Sequence, residues 1–192
     1  MKAILISIKP KYVAKILNGE KTIEIRKTMP KCDLPIDVYI YCTKEDNLCC
    51  IKRIGRDRYI CGKDFDLRDF PHLSSGYEGK GKVVAKFTLK KVVGYPYISD
   101  KYDKLIGSCL SEKELLDYST IEYNEELRIR YVKTLYAWHI SNLVIFDKPK
   151  ELSEFETTKQ YLASVIGQTQ PILQNIRLTK APQSYCYVEE LK

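Results

Sequence analysis

The sequence predicts an α+β fold in which about six short strands form a mixed β-barrel and a few helices lie at its periphery. Two observations predict this class. Short apolar runs with alternating or β-branched residues recur along the 192-residue chain, as in half-buried strands. The candidate helices are few and do not separate these strands regularly, which argues against a doubly wound parallel sheet. With 44% hydrophobic residues the chain can bury one core, so residues 1–192 are predicted to form a single domain.

The charge of the chain favours an acidic partner. The net charge is +7 and the pI is about 8.9, which makes nucleic acid the first candidate. Surplus lysine also serves solubility, and no run of basic residues resembles a nucleic-acid-binding tail. Composition alone therefore indicates a preference for anions and no particular ligand.

The composition also suggests the reducing cytoplasm. The seven cysteines are an odd number and include no Cys-x-x-Cys pair, which indicates free thiols and no metal site. Charge interrupts the first residues too early for a secretory signal, and no run approaches the ~18 apolar residues of a membrane span. We therefore expect a cytoplasmic protein with no membrane attachment and no cofactor.

The first 26 residues predict a strand, a short helix and a second strand in close succession. Residues 3–8 are apolar and rich in β-branched side chains. Pro10 suits the first turn of a helix, and Gly19 suits the left-handed position just after its end. The next strand, at 21–26, therefore starts directly beside a helix end.

The 21–26 strand carries a row of charged side chains. Strand alternation places Lys21, Ile23 and Ile25 on one face and Thr22, Glu24 and Arg26 on the other. The isoleucines need a core, so the second face lies against either solvent or a cleft. The residues alone leave both interpretations open: an edge strand in which Glu24 and Arg26 pair with each other, or the wall of a binding site.

The rest of the chain has further strand and helix signals. The predicted strands lie at 37–42, 82–93, 135–146 and 185–189, and Pro149 is expected to end the third. A capping box predicts a helix at 111–118, and further helices are predicted at 121–132 and, within a polar loop at 150–178, at 156–166. A short hairpin near 49–61 with a mobile remainder is expected in the irregular stretch. The segments 43–80 and 157–178 are interpreted as insertions in the domain.

Several of these segments resemble the ASCH domain (activating signal cointegrator homology). The resemblance is carried first by residues 4–26, through Ser7-Ile8-Lys9-Pro10, Ile16-Leu17, Gly19-Glu20-Lys21-Thr22 and Glu24-x-Arg26. Residues 81–87, 136–143 and 182–188 are similar to later blocks of that family. Residues 39–44 are similar to its bacterial and phage members.

The resemblance implies a PUA-like β-barrel with a cleft between the barrel and the first helix, into which the charged row projects. Members of the family are linked to RNA or nucleotide binding and, in a few bacterial proteins, to hydrolysis of the amide of 4-acetylcytidine. That enzyme has a lysine at the position of Lys21 and a threonine at the position of Glu24. A carboxylate cannot replace the threonine as a simple amidase nucleophile, because its acyl intermediate would be an anhydride. The departure at Glu24 therefore favours recognition over that chemistry.

The function predicted first is a module that binds RNA, single-stranded nucleic acid or a nucleotide-like small molecule in a basic cleft. Lys21 and Arg26 would contact phosphate, and Glu24 would accept from a base amino group. Tyr41 or Trp138 would stack on an exposed base. The predicted binding residues are Lys21, Thr22, Glu24, Arg26, Tyr41, Trp138 and His139. Trp138 as a core residue and His139 as a structural histidine are the competing interpretations.

Two other functions stay open on the sequence. The first is a hydrolase of a modified nucleoside or of RNA, with Lys21 and Glu24 as the catalytic acid–base pair. The second is a protein-interaction module that uses the 43–80 insertion. The departure at Glu24 makes a binding protein the preferred interpretation over an enzyme.

Overall fold

The computed structural model describes residues 2–45, 48–53, 55, 58–63, 74–96, 102–126, 129–165 and 168–191. The strands within these ranges are β1 (Lys2–Ile8), β2 (Ile23–Arg26), β3 (Ile36–Cys42), β4 (Leu48–Arg53), β5 (Tyr59–Lys63), β6 (Ser74–Glu78), β7 (Val83–Tyr95), β8 (Thr120–Asn124), β9 (Ile129–Val132), β10 (Leu135–Lys150), β11 (Glu156–Val165), β12 (Gln168–Arg177) and β13 (Tyr185–Glu189). The α-helices are α1 (Pro10–Leu17) and α2 (Glu112–Ser119), and 3-10 helices span Tyr102–Ser108 and Leu152–Glu154.

Six strands form the principal sheet, in the order β13-β1-β3-β7-β10-β2. β1 and β3 are parallel, and the other neighbouring pairs are antiparallel. The predicted α+β class is confirmed, whereas the described ranges contain thirteen strands instead of about six, and the six-stranded sheet is not closed into the predicted barrel. Two of the strands are long rather than short, since β7 has 13 residues and β10 has 16. Among the described residues β13 and β2 are the two edges of the sheet, and no backbone ladder joins them.

The helix α1 lies where the sequence predicts it and closes over one face of the sheet. Its apolar side, which includes Val13 and Ile16, is buried against the inward residues of β1, β3 and β7. Gly19 ends the helix with φ +74°, a left-handed conformation that favours glycine. The chain then reverses immediately into β2, which brings the charged row beside the helix.

The hairpin predicted near 49–61 is confirmed as β4 and β5. It packs against α1, because the amide of Asn18 donates to the Tyr59 carbonyl at 2.8 Å and accepts from the Tyr59 N–H at 2.9 Å. β6 adds a third strand beside β4. The prediction of a mobile remainder is therefore wrong at 74–78, and residues 64–73 lie outside the described ranges.

The capping box at Ser111 and Glu114 begins α2 as predicted. The helix predicted at 121–132 is wrong, because β8 and β9 form an antiparallel hairpin there. These strands contain the β-branched residues Thr120, Ile121 and Ile129, which favour a strand. A helix over the same residues would have many charged side chains and little apolar face to bury, whereas the pairing of the two strands satisfies the backbone hydrogen bonds.

The polar loop predicted at 150–178, with a helix at 156–166, is also wrong. β11 and β12 pair over ten residues each, from Glu156–Arg177 to Val165–Gln168.

Pro149 does not end β10, which continues to Lys150. Beyond His139 this strand has no β2 partner, and its ladder with β7 is irregular between Ile145 and Lys150. A proline is tolerated there because the irregular ladder does not need a hydrogen bond from the backbone N–H that proline lacks. No helix in the described ranges is long and apolar enough to cross a membrane.

Candidate binding site

Three charged side chains from the start of the chain meet in a buried cluster. The ammonium nitrogen of Lys21 lies 3.3 Å from Oε2 of Glu24, and Nη2 of Arg26 lies 3.0 Å from Oε1 of the same carboxylate. The exposed fractions of the three residues are only 2%, 7% and 7%. We call Lys21, Glu24 and Arg26 the charge triad.

The position of Lys21 differs from the prediction. Alternation placed it on the face opposite to Glu24, but β2 begins only at Ile23, so Lys21 belongs to the turn after α1. Its backbone N–H bonds to the Lys15 carbonyl at 3.1 Å, and its ammonium donates to the Ser108 carbonyl at 2.7 Å. Burial lowers the pKa of Lys21, and the nearby Glu24 carboxylate opposes that shift.

Arg26 connects β2, at one edge of the principal sheet, to β1 and to the residue before β13 near the other edge. Its Nη2 donates to the Ser7 carbonyl of β1 at 2.6 Å. Its Nη1 lies 3.4 Å from both the carbonyl oxygen and the hydroxyl of Ser184, just before β13. Nε of Arg26 is buried and has no hydrogen-bond partner among the described residues. The guanidinium therefore fixes the triad against β1 and β13.

The charge triad forms the floor of an open cavity of about 500 Å³. One wall comes from the end of β1 and the start of α1, and the other comes from α2 and the residues before it. The lining residues are Ser7, Ile8, Lys9, Lys11, Tyr12, Lys21, Glu24, Ile25, Arg26, Thr43, Leu110, Glu114, Asp117, Tyr118 and Gln183.

The α2 wall is held on β2 by both backbone and core contacts. The Thr22 N–H donates to the Gly107 carbonyl at 2.8 Å, next to the Ser108 carbonyl that binds Lys21. Leu105 and Leu115 pack in a cluster with the isoleucines of β2. This docking places α2 across the cavity from α1.

Tyr118 is the aromatic side chain that α2 presents to the cavity. It is 39% exposed, and the ammonium of Lys27 lies 4.8 Å from its ring centroid. Burial raises the pKa of Tyr118, while the Arg26 guanidinium opposes the shift. Tyr12 on the α1 wall lies under the triad lysine, with the Lys21 ammonium 5.3 Å from its ring centroid. The site thus combines buried cations with two tyrosines.

Four of the seven residues predicted to bind a ligand do not line this cavity. Thr22 is exposed and its side chain lies against Gly107. Tyr41 is buried in a separate cluster with Val83 and Phe155. The structure therefore brings Lys21, Glu24 and Arg26 together and leaves Thr22 and Tyr41 outside the site.

Trp138 and His139 also lie outside the cavity. Trp138 is fully buried in the core, opposite Glu24 in the β10–β2 register and with its ring centroid 5.3 Å from that of Tyr185. Because directly opposed residues share a face of the sheet, the Trp138 side chain lies beside that of Glu24. His139 is half-buried, and burial lowers its pKa, with a smaller effect from Lys91.

None of the seven cysteines takes part in a disulfide. Burial raises the pKa of Cys42 to about 12 and raises that of Cys50 as well. Within the described ranges, no group of three or more His, Cys, Asp or Glu is placed to hold a metal ion.

Sequence reasoning missed the two walls of the cavity. Tyr12 and Lys11 begin α1, and the signal that points to them is the predicted helix start directly after a strand. Tyr118 lies at the end of a helix that the capping box at Ser111 predicts, but nothing local indicates that this helix docks on β2. The contact between Lys21 and Ser108 spans 87 residues, which no local pattern can show.

The open six-stranded sheet, the helix packed beside its charged edge strand and the peripheral hairpins define an α+β fold. A crystal structure of a serine-to-alanine variant of ZmASCH from Zymomonas mobilis matches 98% of this chain and 89% of its own, with a TM-score of 0.54 and 16% identity. The structure of the ASCH protein from Zymomonas mobilis also matches, over 98% of this chain and 88% of its own, with a TM-score of 0.47 and 16% identity. Its tyrosine-to-phenylalanine variant matches over 99% of this chain and 92% of its own, with a TM-score of 0.49 and 15% identity.

These matches are similarities of fold. The resemblance to ASCH domains predicted from the sequence is confirmed at that level by the first of these structures. No protein-family model matches the chain, and a search of curated proteins returns no significant match. The chemistry of the site therefore rests on its own residues.

Proposed function

We propose that the cavity binds a nucleotide or a single unpaired base of RNA. The observation that carries this proposal is the charge triad itself, three ionisable side chains with no more than 9% of each exposed, on the floor of an open cavity. Its volume of about 500 Å³ suits a ligand of nucleotide size.

Stability alone is a weak reason for such a triad. Burying charged groups costs several kcal/mol per ion, and a well-packed apolar set of similar volume is often at least as stable. Clusters of buried ionisable groups in clefts are typical of functional sites. The triad carries two cations and one anion, so its excess positive charge favours an anionic ligand.

Tyr118 supports recognition of a base. The ring is exposed at the cavity, and an aromatic ring under a base typically contributes about 1–3 kcal/mol. It takes the stacking role that the sequence assigned to Trp138 or Tyr41. Both oxygens of Glu24 already contact cations, so this carboxylate positions Lys21 and Arg26 for the ligand.

The test compares the variant Tyr118→Ala with Tyr131→Ala, a substitution of a tyrosine that is 51% exposed on β9 and lies outside the cavity. Binding of labelled single-stranded RNA and of nucleotides is measured by fluorescence anisotropy and calorimetry at low salt. We expect Tyr118→Ala to weaken binding about 5- to 100-fold and Tyr131→Ala to leave it unchanged. Absence of binding by the wild type, or equal losses in both variants, contradicts the proposal.

A hydrolase is the second candidate, and the observation that favours it is Lys21. Its ammonium lies 3.3 Å from the Glu24 carboxylate at the cavity, so Glu24 would activate water while Lys21 stabilises the developing charge. The substrate would be a modified nucleoside or RNA, as the sequence suggests. Turnover of acylated nucleosides and short RNAs that is lost in both Lys21→Met and Glu24→Gln would establish it. Binding without turnover leaves the binding function alone.

A further inference from the structure

We propose that Cys50 on β4 and Cys61 on β5 are a dithiol pair that a low-molecular-weight disulfide of the glutathione class oxidises to an intramolecular disulfide. The pair lies outside the lining of the cavity, so this inference does not depend on the proposed function. It assigns a reversible modification to two of the seven cysteines of the chain.

The register of the hairpin places these two thiols side by side. In the β4–β5 ladder Cys50 is directly opposed to Cys61, and Lys52 is directly opposed to Tyr59. Directly opposed residues share a face of the sheet, and so do residues two apart on one strand. Cys50 and Tyr59 belong to the core cluster that contains the apolar side of α1, so both thiols lie on the face toward this helix.

The backbone hydrogen bonds identify the class of this pair. The N–H of Arg53 donates to the carbonyl of Arg58 at 3.2 Å, which makes these two residues a hydrogen-bonded pair. Hydrogen-bonded and non-hydrogen-bonded pairs alternate along an antiparallel ladder. Cys50 and Cys61 are three positions further on and are therefore a non-hydrogen-bonded pair. The carbonyl of Cys50 agrees, because it accepts from the Gly79 N–H at 2.8 Å on the side of β6.

This class of pair suits a disulfide. Its Cα atoms are typically about 4.5 Å apart, with the side chains closer than in a hydrogen-bonded pair. Disulfides join Cα atoms that are roughly 4.4–6.8 Å apart, so the bond needs no displacement of either strand. Cys49 is as fully buried as Cys50, but alternation turns it to the opposite face, where it is opposed to Gly62. The register therefore selects one of two adjacent thiols.

A third thiol, Cys42 on β3, is the competing partner. Burial raises its pKa, and a hydrogen bond from the Cys50 N–H opposes that shift, so its sulfur lies near β4. β3 pairs with β1 and β7, and no ladder in the described ranges opposes Cys42 to another cysteine. A bond to Cys42 is therefore the alternative product that an experiment has to exclude.

The exposure of the two thiols sets the order of the reaction. Cys61 is half-buried and Cys50 is fully buried, so the thiolate of Cys61 attacks the oxidant first. This step forms a mixed disulfide and releases one glutathione thiolate. The sulfur of Cys50 then attacks the sulfur of Cys61 and releases the second glutathione. The two protein thiols lose two electrons and two protons, and the glutathione disulfide gains them as it becomes two thiols.

The disulfide would fix an edge strand. Within the described ranges β5 pairs only with β4, and its Tyr59 bonds to Asn18 at the end of α1. Closing a loop of about ten residues removes conformational freedom from the unfolded chain. We therefore expect oxidation to raise the melting temperature by about 5–10 °C, and dithiothreitol to reverse the rise.

The test treats the native protein with glutathione disulfide at pH 8.5. An alkaline pH is needed because burial raises the pKa of Cys61 and the Glu45 carboxylate adds to this shift, although Lys11 opposes it. Trypsin then separates peptide 45–52, which contains Cys49 and Cys50, from peptide 59–63, which contains Cys61. Without reduction the two peptides should stay joined, and fragmentation in the mass spectrometer should assign the bond to Cys50 at least 10-fold more often than to Cys49.

Two neighbouring variants provide the matched comparison. Cys50→Ala should abolish both the joined peptide and the rise in melting temperature. Cys49→Ala removes an equally buried thiol from the same strand and should leave both unchanged. The wild type oxidised in urea should lose the preference for Cys50, because an unfolded chain has no register.

Four results would overturn the proposal. The first is a native bond to Cys49 or Cys42, and the second is a glutathione adduct that stays on Cys61. The third is a joined peptide without a rise in melting temperature, which would mean that the bond strains the hairpin. The fourth is a preference for Cys50 that persists in urea, which would assign the selectivity to the local sequence instead of the register.

Discussion

The guanidinium of Arg26 donates to the backbone carbonyl of Ser7 at 2.6 Å, and this one contact joins two strands that three others separate in the sheet order. The same side chain reaches Ser184, the residue just before β13. The β2 edge and the β13 edge of the sheet are therefore connected by an arginine. The sheet does not close into the predicted barrel, since no backbone ladder joins these two edges among the described residues, and the hydrogen bonds of Arg26 link them instead.

The first prediction concerns this connection between the two edges of the sheet. Arg26→Ala should lower the free energy of unfolding by about 3–5 kcal/mol, because it leaves the Glu24 carboxylate buried with one cation fewer and the Ser7 carbonyl without this donor. Urea unfolding followed by circular dichroism measures the change. Arg177→Ala, at an exposed position on β12, should change stability by no more than about 0.5 kcal/mol. Similar values for the two variants would show that the arginine does not join the sheet edges.

The elements of the site that depend only on residues close in sequence were predicted correctly. The strand, helix and glycine stop from 3 to 19 follow from adjacent residues, and the structure has them at Lys2–Ile8, Pro10–Leu17 and Gly19. The α2 helix follows from its capping box. These elements are specified by backbone conformations and hydrogen bonds within a few residues, so they can be derived without the fold.

The rest depends on contacts that are distant in sequence. β8, β9, β11 and β12 are strands because each has a partner strand, and their polar sequences resemble helix or loop when taken alone. Lys21 turns toward Glu24 because the Ser108 carbonyl lies there to accept from it. No pattern around residue 21 contains that information, so the alternation rule gave the wrong face.

The second prediction tests whether the triad acts as one unit. A double-mutant cycle with Lys21→Met and Glu24→Gln should give a coupling free energy of about 0.5–3 kcal/mol, because the two charged groups are 3.3 Å apart and buried. The losses of stability in the two single variants should together exceed the loss in the double variant, since each single variant leaves the other group partly unpaired. Thermal and urea unfolding of the four proteins provide the values. A coupling within error of zero would mean that solvent screens the pair.

The third prediction concerns the docking of α2. A Cβ at Gly107 would overlap the hydroxyl oxygen of Thr22 and lie 3.3 Å from Cγ1 of Ile23. Gly107→Ala should therefore destabilise the protein by about 1–3 kcal/mol. Thr22→Ala in the same chain should recover part of this loss, because it removes the atom that clashes. Equal destabilisation with and without Thr22→Ala would assign the cost to the backbone instead.

The fourth prediction is a pH dependence from His139. Its pKa is lowered in the fold from the ordinary value of 6.5, so the unfolded chain binds a proton more readily than the native protein does. The stability that neutral His139 contributes is present above pH 6.5 and is lost as the pH falls through the native pKa. The unfolding free energy of the wild type should thus drop more between pH 7 and pH 5 than that of His139→Gln. Parallel curves would show that the imidazole is solvated equally in both states.

The fifth prediction concerns the stability of the protein at alkaline pH, where the buried thiols titrate. The pKa of Cys42 is raised to about 12 from 9.0, so the native state keeps a proton that the unfolded chain releases above pH 9. Stability should therefore decline as the pH rises from 9 toward 12, and Cys42→Ala should remove part of the slope.

Iodoacetamide at pH 8, with mass spectrometry of the peptides, should leave Cys42 and Cys50 unmodified until urea unfolds the protein, because both are buried and protonated. Rapid alkylation of either thiol in the native protein would contradict their burial.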